Sequence, residues 1–184
     1  MDLNSILGAL TAGNAVNDMG KKFNMNSNQV NSIITAALPT LIGAMQKNAA
    51  TENGAASLAN AFTSHLGDSS VNLSSASLTD GGKILGHILG GNSDSVFSAL
   101  AKQTGTNSNQ VSGILSAISP MLLGLLGKGQ KSSNTSVGGL GSLLGGLLGG
   151  GSSSSASGLG GILGGAMGDK NKNGIPDIIE GFMK

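Results

Sequence analysis

The residues best suited to chemistry stand at the end of the chain, in "DKNKNGIPDIIEGFMK", residues 169–184. Asp169, Asn171, Asn173, Asp177 and Glu180 fall at positions one, three, five, nine and twelve of a twelve-residue EF-hand-like loop. Ile175 offers its carbonyl at position seven, and Gly174 takes the turn at position six. Hard oxygens in this register suit Ca²⁺, and three carboxylates make the loop favourable when filled and self-repelling when empty. Two features depart from the EF-hand pattern. Lys170 and Lys172 flank the ligands and lower the affinity expected. Pro176, at position eight, lacks the backbone N–H that would bridge to a partner loop. The expected role is therefore a calcium clasp rather than a paired sensor. The competing reading is an Asn/Gly/Pro turn leading into a last helical turn that starts at Pro176 and Asp177.

Elsewhere the chemical inventory is thin. His87, in "KILGHILGG", and His65, in "FTSHLG", each read as a single imidazole on or near a helix. Neither has a Ser, a carboxylate or a second His at a spacing that marks a catalytic set. Of nine acidic residues, three belong to the terminal loop, so few remain to assemble a site from distant positions. "GGKILG" lacks the spacing of a phosphate loop and has no Ser or Thr after its Lys. No catalytic residue and no organic cofactor are expected.

Composition narrows the classes further. The ten basic residues are all Lys, and the net charge is +1. Without a guanidinium fork or a strong positive field, nucleic acid is not an expected partner. The absence of Cys removes disulfides, thiolate nucleophiles and zinc–sulfur sites. No stretch approaches eighteen unbroken apolar residues, so no spanning helix is expected. The opening "MDLNSILGALTAG" carries an acid instead of a basic leader region and reads as a helix of the fold. A cytoplasmic location is the default expectation. Leaderless export is the alternative, because a loop of modest affinity fills more readily where calcium is abundant.

The elements that must position these residues are helical. Asn26–Lys47, "NSNQVNSIITAALPTLIGAMQK", aligns without gaps on Asn107–Lys128, "NSNQVSGILSAISPMLLGLLGK", 81 residues later, with eleven of 22 positions identical. Such self-similarity implies a tandem duplication across residues 1–128. Asn26 and Asn107 are N-cap candidates, and Gln29 and Gln110 stand three residues on, where a side chain reaches back to the cap N–H. Apolar residues then recur at helical spacing: Val30, Ile33, Ile34, Ala37, Leu38 and Leu41 in the first copy, with Val111, Ile114, Leu115, Ile118 and Leu122 in the second. Pro39 and Pro120 occupy the same internal place. Each removes a hydrogen bond at a cost of about 3 kcal/mol and is expected to kink or split its helix. Gly43 and Gly124 follow four residues on and leave room for another helix to pack closely. Thr35 and Ser116 are candidates to bond backbone groups near the bend.

"ASLANAFTSHLG" reads as a helix ending at Gly67, and "SSASLTDGGKILGHILGG" as a loop and then a helix through Lys83 to Leu89. Sustained alternation and β-branched clusters are lacking, so strands are not expected. From residue 129 the composition shifts to Gly, Ser and Leu. Residues 129–168 read either as a loosely ordered arm or as small-residue helices that dock on the core, on a second copy or on a membrane surface. The low charge of the segment weighs against the membrane surface. The expected organisation is an all-α, duplicated domain over 1–128, a Gly/Ser/Leu-rich segment over 129–168, and the calcium loop with a short terminal helix over 169–184.

"MDLNSILGAL", "SIITAALPTLIGAMQKNAA", "GGKILGHILGG" and "SGILSAISPMLLGLLGK" together resemble the YidB-like bacterial family, domain of unknown function 937, over roughly residues 1–128. The resemblance implies a compact helical fold and a bacterial source, and it carries no activity or catalytic residue. The functional expectation is a non-enzymatic binding or self-assembly protein, its partner itself or another protein, with a calcium-stabilised arm. The alternative expectation is an enzyme or small-molecule carrier with a pocket between the two helical units near His87.

Overall fold

The structure, a computed structural model, describes residues 3–148. Its helices are α1 (Leu3–Leu10), α2 (Ala15–Phe23), α3 (Ser27–Ala49), α4 (Glu52–Ser64), α5 (Ser75–Leu89), α6 (Ser93–Thr104), α7 (Ser108–Ser132) and α8 (Leu140–Leu148). Short 3₁₀ turns at Gly90–Asn92 and Val137–Gly139 complete the order, and no strand occurs among the described residues. The all-α expectation holds.

The two long helices start as their sequences dictate. Asn26 Oδ1 accepts from the Gln29 N–H at 2.9 Å, and Gln29 Oε1 accepts from the Asn26 N–H at 3.1 Å. Asn107 and Gln110 repeat this capping box at 2.9 and 3.3 Å. The preceding helices stop in matching ways. Asn24 (φ 54°) after α2 and Gly105 (φ 65°) after α6 turn left-handed, and the amides of Met25 and Thr106 close on Gly20 and Ala101.

Pro39 and Pro120 sit inside α3 and α7, each of which runs through its proline as one helix, so neither is split. Near Pro120 the expected helper is replaced. Ser119, not Ser116, donates its hydroxyl to a local carbonyl, that of Leu115, at 2.6 Å.

α7 is the axis of the unit. α1 to α6 all pack on it, and every residue from Ile114 to Gly124 is buried. Burial on all sides explains why its sequence is apolar all round, beyond the single stripe that spacing suggests. By length and composition alone Ser108–Ser132 would also span a membrane, and 78% of its apolar window is enclosed by the other helices.

Three boundaries differ from expectation. α4 ends at Ser64, ahead of Gly67, where the His65 N–H closes on Ala61. α5 begins at Ser75, well before Lys83, because the Ser74 hydroxyl accepts from the Ser77 N–H and caps the helix there. α7 continues to Ser132, past the shift in composition at 129. α8 then docks on α3 and buries Leu140, Leu144 and Leu147 at spacings of four and three. One compact unit holds all the described residues, with no division at 128. Residues 149–168 lie outside the described residues.

Candidate functional site

The six expected calcium ligands, Asp169, Asn171, Asn173, Ile175, Asp177 and Glu180, lie outside the described residues. Among the described residues no group of three or more His, Asp or Glu is placed to hold a metal ion. The two histidines, by contrast, are placed, and each has neighbours from other helices that sequence spacing does not reveal.

His65 follows the last residue of α4 and is 17% exposed. Its Nδ1 lies 2.8 Å from Asp68 Oδ2, and its Nε2 lies 3.7 Å from Asp80 Oδ2 in α5. The carboxylates face opposite edges of one ring, so the three groups cannot chelate a common ion. The arrangement ties the end of α4 to the first half of α5 across the connection between them. Glycine brings this corner onto α7. A Cβ at Gly124 would run into the carbonyl oxygens of His65 and Asp68, and one at Gly127 would stand 2.8 Å from that of Phe62. Gly124 thus admits a close neighbour, but that neighbour is the connection after α4, not the helix that its spacing from Pro120 suggests. Gly43 has a lighter neighbour, with Leu148 Cδ1 at 3.8 Å from the same construction. The His-x-x-Asp spacing in "HLGD" is the sequence signal for the Asp68 contact. Asp80 has no local signal, because the turn between the helices brings it in.

His87 lies on the exposed side of α5, beside a groove of about 540 Å³. The apolar side of the groove is Leu58 and Ala61 from α4, Ile84 and Ile88 from α5, and Leu123 from α7. Its polar rim is Asn53, Ser57 and Asn60 from α4, with His87 opposite. Asn48, in the last turn of α3, closes one end. Its Nδ2 donates to the carbonyl oxygens of His87 (3.3 Å) and Ile88 (3.0 Å), two groups that the C-terminus of α5 leaves without helical donors. Among the described residues no Asp, Glu or Lys lines the groove. The site offers amides, one hydroxyl and one imidazole above an aliphatic floor. That set suits hydrogen bonding and apolar contact, with the imidazole as its one titratable group. Sequence reading singled out His87, while the three α4 side chains escaped notice because their i, i+4, i+7 spacing also describes an ordinary solvated face.

A comparison with curated proteins and one with solved structures each return no match. The family model described as "Bacterial protein of unknown function (DUF937)" matches residues 5–129, from α1 to the last turns of α7. This match takes in both capping boxes, both prolines and the whole His87 groove, and the chain belongs to that bacterial family of unknown function.

Proposed function

We propose that the protein is a non-enzymatic binding or self-assembly module whose C-terminal arm is stabilised by calcium. The observation that carries the reading is the register of Asp169, Asn171, Asn173, Ile175, Asp177 and Glu180 around Gly174. Pro176 removes the bridging N–H of a paired EF-hand, so the loop acts as a structural clasp. We read the helical unit, in keeping with the YidB-like resemblance, as a tandem duplication offset by 81 residues. The identical capping boxes, the left-handed terminators at 24 and 105, and the prolines at 39 and 120 all fall at that offset, and they support the reading. Each proline then bends its long helix at the corresponding place.

The test uses the full chain. Millimolar Ca²⁺ raises the melting temperature and protects the C-terminal arm from protease, a chelator reverses both effects, and Glu180→Gln abolishes them. A melting curve indifferent to Ca²⁺ would sink the clasp. A single monomeric mass by light scattering at high concentration, with and without Ca²⁺, would sink self-assembly. The alternative, an enzyme or small-molecule carrier, has the groove beside His87 in its favour. Native mass spectrometry of the purified protein separates the two, since a carrier retains a small ligand that His87→Ala releases.

A further inference from the structure

We infer that the groove between α4 and α5 seats a short, extended, uncharged peptide segment of a partner protein. The inference rests on the binding half of the reading above and names the chemistry of the partner.

Asn53, Ser57 and Asn60 project from one side of α4 at i, i+4 and i+7. At 1.5 Å per residue the row is about 10 Å long, the length of about three extended residues. A carboxamide carries a carbonyl acceptor and an NH₂ donor, the same pair that a peptide group presents, so amides one or two turns apart complement a passing backbone. None of the three side chains has a hydrogen-bond partner among the described residues, and all three are exposed. Asn48, which resembles them in type, is already committed to the α5 carbonyls and sets the end of the trough.

The floor selects the rest of the occupant. Leu58, Ala61, Ile84, Ile88 and Leu123 form an aliphatic strip beneath the rim. Successive side chains of an extended peptide point to opposite sides, so alternate apolar residues drop onto that strip while the backbone meets the amides. Charged ligands are disfavoured. An ammonium entering the groove would shed water and find no carboxylate among the described lining residues, and a carboxylate or phosphate would find only the His87 imidazole on the rim and no Lys. A sugar would find no Phe, Trp or Tyr platform, because no Phe among the described residues lines the groove and the chain has no Trp or Tyr.

The experiment pans a random heptapeptide display library on the full-length protein and then measures binding of the selected peptides to the wild type and to Asn53→Ala/Asn60→Ala. Both residues are exposed, and circular dichroism verifies that the variant is folded. The expected result is enrichment of uncharged sequences with apolar residues at alternate positions, bound about tenfold more weakly by the variant. Amide shifts of Leu58, Ile84 and Ile88 should move on titration. Enrichment that the variant retains, selected peptides rich in Asp, Glu or Lys, or maltoheptaose moving the same resonances would each overturn the inference. Failure to enrich any peptide, in protein whose melting still responds to Ca²⁺, would remove the groove and leave the calcium arm standing.

Discussion

Gly81 of α5 packs its Cα against the carbonyl oxygen of Ser116 in α7, and a Cβ built on Gly81 would overlap that oxygen. Ser116 is also the residue four before Pro120, whose ring nitrogen has no hydrogen to give. The carbonyl that the proline leaves without its helical donor is therefore the one that meets the bare glycine. One Cα hydrogen of Gly81 occupies the Cβ direction and points at the oxygen, a weak contact of about 0.5–1 kcal/mol. The proline and the glycine are complementary parts of one helix crossing.

This relationship predicts opposite outcomes for two glycines of the same helix. Gly81→Ala forces α5 away from α7 and should cost about 2–4 kcal/mol. Gly86 meets nothing within 4 Å, so Gly86→Ala should add about 0.5–1 kcal/mol through helix propensity. Urea unfolding of both variants checks the pair. Equal destabilisation would show that the close crossing does not set the sensitivity.

Gln110 does more than its counterpart Gln29. Besides its place in the capping box, its Nε2 donates to the carbonyl oxygens of Phe23 (3.2 Å) and Asn24 (3.4 Å) at the end of α2. Gln110→Ala should therefore cost about 1 kcal/mol more than Gln29→Ala. Denaturant midpoints of the two variants measure the difference.

Much of this was legible beforehand, for identifiable reasons. Caps and apolar spacing are local, so Asn26, Asn107 and the buried faces of α3 and α7 follow from sequence. The start of α5 was hidden, because "TDGGK" reads as a turn until α7 is placed beside Gly81. The Asp80 contact of His65 and the row of amides on α4 were hidden for a related reason. They become meaningful only when a second helix stands opposite them.

Leu144, fully buried in α8, tests whether the Gly/Leu stretch belongs to the core. Leu144→Ala should destabilise the whole unit by about 3 kcal/mol. A variant that unfolds at the wild-type midpoint would show that α8 docks without contributing to global stability.

For the terminal loop, charge makes the prediction. Replacing Lys170 and Lys172 with Gln removes two positive charges beside the proposed calcium ligands, and isothermal titration should show binding tightened by about threefold to tenfold. Raising the salt concentration should narrow the gap between the variant and the wild type.

The docking of α8 on α3 has a consequence in time. Gly145 lies over the Gln46 side chain, and Leu148 over Gly43, about a hundred residues earlier in the chain. A ribosome making about 5–20 residues per second leaves α3 without this cover for several seconds after its own synthesis. During that interval the α3 surface around Gly43 and Gln46 stands without its α8 cover, and the unit closes there only when the last of its helices arrives.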